Sequence, residues 1–131
     1  MAFVESVVLG ETGIGLHSLQ CVRDFIVNLK EPPRTTLLLG GKDGQMMMEF
    51  VEGMGYYVSA FGRGEIEEWI AYDKSLPGEK VRVNLSGHLD DLPRRTLVSE
   101  ENALEVAAIF YQDGSRSSKH CWMKSLDLMC H

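Results

Sequence analysis

Apolar side chains recur with two different periods along the chain, and the switches between them mark its elements. Residues 2–9 (AFVESVVL) are rich in β-branched and aromatic side chains and predict a strand. GETGIG, at 10–15, reads as a glycine-rich turn. Ser18 is placed to cap a helix running to about Lys30, because Leu19, Val22, Ile26 and Leu29 fall at helical spacing on one face. Cys21 and Phe25 widen that face, and Pro32-Pro33 stops it. Period two then takes over. Strands are predicted at 35–39, 45–51, 56–61, 66–72 and 81–85, separated by the turns GGKDG (40–44), EGMG (52–55) and GRGE (62–65) and a loop at 73–79. Residues 86–97 (SGHLDDLPRRTL) read as a connecting arm, in which Asp90 and Asp91 sit near Arg94 and Arg95 for local pairing.

The clearest local signal comes late. Ser99 is an N-cap, Glu100 and Glu101 suit the positive end of a helix dipole, and Ala103, Val106, Ala107 and Phe110 form an apolar stripe. Asp113-Gly114 is a stop, with Gly114 free to take the left-handed conformation. Residues 121–129 read as a short strand or a docked tail. Short loops between successive strands require antiparallel hairpins, since parallel neighbours need long crossovers. The expected fold is α+β: an antiparallel meander of five to six strands with two helices packed on one face, formed by a single domain over residues 1–131.

Composition narrows the partners. The formal net charge of −6 disfavours nucleic-acid binding, which needs Lys and Arg to displace counterions, and permits association with a basic protein. No apolar run is long enough for a membrane helix, and the N-terminus lacks a signal-peptide pattern, so no membrane partner and a cytoplasmic location are expected. Three cysteines, an odd number, suit a reducing compartment.

Candidate chemistry is sparse. The 10–15 turn lacks the Gly-Lys-Ser/Thr ending of a phosphate loop. His120-Cys121 and Cys130-His131 carry zinc-type donors but neither of the usual ligand spacings, so no metal and no cofactor are expected. No catalytic signature surrounds Cys21, Cys121 or Cys130, and Cys21 reads as a core residue beside the first helix's apolar face. Glu65, Glu67 and Glu68 fall near Trp69, and in a regular strand Glu67 and Glu68 point to opposite faces, which argues against a catalytic pair. Met46 and Met48 share one face of their strand while Met47, beside Glu49, takes the other. With Met54 they hint at a binding surface or a dimer interface, methionine being common on adaptable surfaces.

The C-terminal third carries a recognisable pattern: Leu97-Val98-Ser99, an acidic pair, Ala103-Leu104, Ala107-Ala108, Phe110, Gly114 and Trp122. It resembles the first numbered family of bacterial immunity proteins from polymorphic toxin systems, whose members are often encoded beside deaminase-type toxins. In that family a Val-Ser-x-x-x-Ala-Leu helix start precedes an Ala-Ala-x-Phe helix end, a glycine and a Trp-containing final segment. The resemblance implies a small α+β protein without catalytic activity that binds its cognate toxin domain and blocks its active site or substrate access. The family's specificity surfaces vary, so the resemblance carries no binding residue across.

These lines converge on an immunity protein for a basic, cognate toxin, plausibly a nucleic-acid deaminase. The expected contact surface is acidic: Glu65, Glu67, Glu68 and Asp73, with Asp90 and Asp91. Two other readings stand beside it. One is a stand-alone homodimeric regulatory domain of the same fold. The other is a small Cys/His enzyme, which requires a Cys–His contact of about 3 Å.

Overall fold

In a computed structural model of the chain, residues 2–30, 35–85 and 87–129 are described. The chain opens with β1 (Val4–Leu9), turns into the short β2 (Thr12–Ile14) and enters α1 (Leu19–Val27). Four strands follow in order: β3 (Thr36–Gly41), β4 (Gly44–Val51), β5 (Gly55–Phe61) and β6 (Trp69–Tyr72). A hairpin of β7 (Lys80–Leu85) and β8 (His88–Pro93), a 3-10 turn at Arg94–Thr96 and β9 (Leu97–Val98) lead into α2 (Glu100–Asp113). Finally come β10 (Cys121–Lys124) and α3 (Ser125–Met129).

The fold is α+β. The main sheet is antiparallel throughout, in the order β10-β6-β5-β4-β3-β1-β2, with β9 pairing the start of β5 and β6 its later part. Strands β3 to β6 are the expected meander. The sequence expectation falls short in number, because β2, β8, β9 and β10 also pair. Residues 10–15 are more than a plain turn, since Thr12–Ile14 pairs back on β1. The strand expected at 66–72 begins only at Trp69. The arm expected at 86–97 is largely β8, registered against β7 with Arg82 opposite Asp91. Arg94 and Arg95 donate instead to the carbonyls of Leu97 and Leu76, so Asp90 and Asp91 find no local pairing there.

Both long helices begin as their sequences dictate. Ser18 Oγ accepts the Cys21 N–H at 3.1 Å and Ser99 Oγ accepts the Asn102 N–H at 3.1 Å. The first helix ends at Asn28, short of Lys30, where the Asn28 side chain donates to the Asp24 carbonyl. The second ends at Gly114 with φ 72°, a left-handed cap. A Cβ there would also lie 2.6 Å from the Phe3 ring, so glycine serves twice. Phe3 in turn meets Phe110 edge to face, ring centroids 5.5 Å apart.

Paired residues on neighbouring strands share a face. Val7, Leu9, Leu37, Leu39, Met46, Met48, Tyr56 and Val58 lie on one side and are buried beneath Val22, Ile26, Ala103, Val106, Ala107 and Phe110 of the two helices. The Tyr56 hydroxyl donates to the Ile26 carbonyl at 2.7 Å, fastening the sheet to the end of α1. Burial, then the nearby Glu100 carboxylate, pushes this phenol's pKa up. On the other side Val51 and Leu97 pack with Val83 and Leu92 of the β7–β8 hairpin, joined by half-buried Tyr57, Met54 and Leu128. That cover is partial, and Val8, Leu38 and Met47 remain half-buried on the open remainder. The methionine alternation is therefore as expected, with Met46 and Met48 in the core and Met47 outside it.

Candidate functional site

The hairpin-covered side carries the candidate site. Segment 62–68 does not extend β6, because Glu65 folds it into a turn. The Glu65 N–H donates to the Gly62 carbonyl, and Glu65 Oε1 accepts the Gly62 N–H at 2.6 Å. Beyond that turn Ile66 is 97% exposed, followed by exposed Glu67 and Glu68. On the far side of the same face β8 carries Asp90, which shares its side of the hairpin with Val83, while Leu89, 67% exposed, points to the hairpin's other side. A carboxylate from each acidic segment acts on Tyr57. Its phenol is pushed up to about 12, chiefly by burial and then by the carboxylates of Glu68, Asp90 and Glu49. An ionised phenol here would face three negative charges in a partly desolvated place, so it holds its proton as a hydrogen-bond donor at neutral pH.

The six acidic residues expected at the surface divide. Glu68 and Asp90 both act electrostatically on Tyr57 and make no ion pair among the described residues. Glu67 adjoins them and meets Lys124 at 3.2 Å. Asp91 pairs with Arg82 across the hairpin at 3.0 and 3.3 Å. Asp73 caps its own loop, its Oδ1 accepting the Ser75 hydroxyl at 2.7 Å and the Ser75 N–H at 2.9 Å. Those bonds hold its pKa below the usual carboxylate range. Glu65 turns inward and forms a two-pronged pair with Arg116 at 2.8 and 2.6 Å, and the guanidinium holds its pKa low. Arg116 lies 4.2 Å from the Trp69 ring centroid and 5.5 Å from that of Trp122. Glu65 and Arg116 are 51 residues apart, and periodicity carries no trace of their meeting.

A second feature lies across the hairpin. An open cleft of about 700 Å³ separates β7 from the ends of β3 and β4 and from the β1–β2 turn. Phe50, Met54 and Val83 supply apolar lining, and Glu11 and Glu52 supply charge.

Sequence reading also missed two histidine contacts. Ser117 Oγ accepts the Lys119 N–H and shares a hydrogen bond with His120 Nδ1, 2.7 Å away. His120 Nε2 then faces Glu105 at 3.5 Å. This Ser–His–Glu arrangement resembles a nucleophile relay, but Ser117 is 2% exposed and its carbonyl accepts the Trp122 indole N–H. Its evident work is to fasten the segment after α2. His17 bridges the Tyr111 hydroxyl and the Glu5 carbonyl. Among the described residues no cysteine is hydrogen-bonded to a histidine, and Cys21 and Cys121 are half-buried. Cys130 and His131 lie outside the described residues. No helix of the described residues is long and apolar enough to cross a membrane.

No protein-family model matches this chain, and no curated protein matches it.

Proposed function

We propose that this protein is a cytoplasmic immunity protein that binds a basic toxin domain, of the kind that deaminates nucleic acid, and covers its active site. The observation that carries this reading is the acidic rim on the hairpin side. Glu68 and Asp90 both act there on Tyr57, and Glu67 and the exposed apolar Ile66 precede Glu68 in the same segment. An exposed apolar side chain beside carboxylates, of which Glu68 and Asp90 make no ion pair among the described residues, suits a partner's contact surface better than simple solvation does. The net charge of −6 favours fast encounter with a basic partner and imitates the polyanion such a toxin would otherwise grip. The C-terminal sequence pattern supports the same class.

The test is direct. The products of the adjacent genes are mixed with the purified protein, and complex formation and loss of any toxin activity are measured. Tight binding with loss of toxin activity is expected, and Glu68→Lys with Asp90→Lys should weaken it and flatten its salt dependence. Absence of any complex at micromolar concentration sinks the reading.

A second reading draws on the open half of the same face, where Val8, Leu38 and Met47 are half-buried. A homodimeric regulatory domain would cover that strip with its own copy. Light scattering that gives a monomer at high concentration removes it.

A further inference from the structure

We infer that the free edge of β7 and the adjoining cleft form a docking groove for an extended segment of the basic partner. This rests on the reading above and adds where, and in what conformation, the partner is held. Among the described residues β7 pairs with β8 alone, so on its other edge the backbone of Arg82 and Asn84 keeps donors and acceptors without strand partners. An extended chain satisfies such an edge by adding a strand. The edge borders the 700 Å³ cleft, in which half-buried Phe50 and Met54 offer apolar contact for alternate side chains.

Charge selects the occupant. The cleft's basic residues are committed elsewhere: Arg82 is held by Asp91, and Lys30 lies 3.6 Å from Glu100. Glu11 and Glu52 are exposed and make no ion pair among the described residues. A segment carrying Lys or Arg fits between them and an acidic one does not. The partner would thus straddle the β7–β8 hairpin, with the Glu68–Asp90 rim on one side and a bound strand on the other.

Hydrogen exchange and charge reversal test this on the intact protein with the adjacent-gene products as probe. The β7 amides that point away from β8, those of Arg82 and Asn84, should exchange at least tenfold more slowly in the complex. Glu11→Lys with Glu52→Lys should raise Kd about 10- to 100-fold while leaving the thermal midpoint unchanged, since both side chains are exposed and make no ion pair among the described residues. A complex that forms with unprotected β7 amides, and that tolerates the double reversal within twofold, overturns the groove and leaves the proposed function standing. Failure of the unmodified protein to form any complex overturns both.

Discussion

The two faces of the sheet are built on opposite principles. The helix-covered face is closed by interlocking apolar side chains from β1, β3, β4, β5, α1 and α2, nearly all without solvent contact. The hairpin-covered face has a smaller apolar cluster, a buried carboxylate at Glu49, a charged rim and an open cleft. Burying polar groups and leaving edges open forgoes stability. A chain that concentrates such features on one face keeps its fold on the other, which leaves the first free to vary. That division of labour suits a binding protein.

The comparison breaks most sharply if the core on the helical side proves dispensable. Phe110→Ala should destabilise by about 3–5 kcal/mol, because the ring is fully buried against Phe3 and the surrounding helix and sheet cannot collapse into the void. Leu92→Ala, in the hairpin cluster, should lose only about 2 kcal/mol, since that cluster is small and partly open. Urea unfolding of the two variants measures both. Equal losses would mean that the faces do not differ as described.

The next effect is smaller and depends on pH. Arg116 lowers the Glu65 pKa in the folded protein, so the bridge stabilises above the ordinary carboxylate value and the benefit fades as pH falls through the lowered one. Glu65→Gln should therefore remove about 1 kcal/mol at pH 7 and almost nothing at a pH below the lowered value, where wild-type Glu65 has also lost its charge. A loss of the same size at both pH values would show that the pair's charge does not matter.

The smallest effect sharpens the account of the rim. The Tyr57 pKa is raised to about 12, so its contribution is intact below the ordinary phenol value near 10 and disappears as pH rises through 12. Glu68→Gln with Asp90→Asn should move Tyr57 ionisation back toward 10 while changing stability at pH 7 by less than about 0.5 kcal/mol. Residue-resolved NMR titration follows it. A Tyr57 that titrates unchanged would mean that the two carboxylates do not act there.

Much of this architecture could be read before any coordinates. Ser18, Ser99 and Gly114 announced their helix ends, because a cap is a contract between residues three or four apart. The Met46–Met47–Met48 alternation announced that Met46 and Met48 share one face of β4 and Met47 takes the other, because a strand alternates whatever lies above it, but which face is core came only with the fold. The site was legible only as a list of carboxylates. Nothing local distinguishes Glu65, which folds inward onto Arg116, from Glu68, which stays out. Likewise β8 was mistaken for an arm, since His88–Pro93 carries two aspartates and a proline where strand propensity is poor. Its pairing with β7 and the packing of Leu92 outweigh that propensity.

The sequence by itself determined periods, caps and stops, and with them the helical face and its core, because those depend on neighbours along the chain. Only the tertiary structure decided which acids are bound within the fold, which act on Tyr57 and which strand edge stays open. Those outcomes depend on register and loop closure between segments dozens of residues apart, and no local pattern records them.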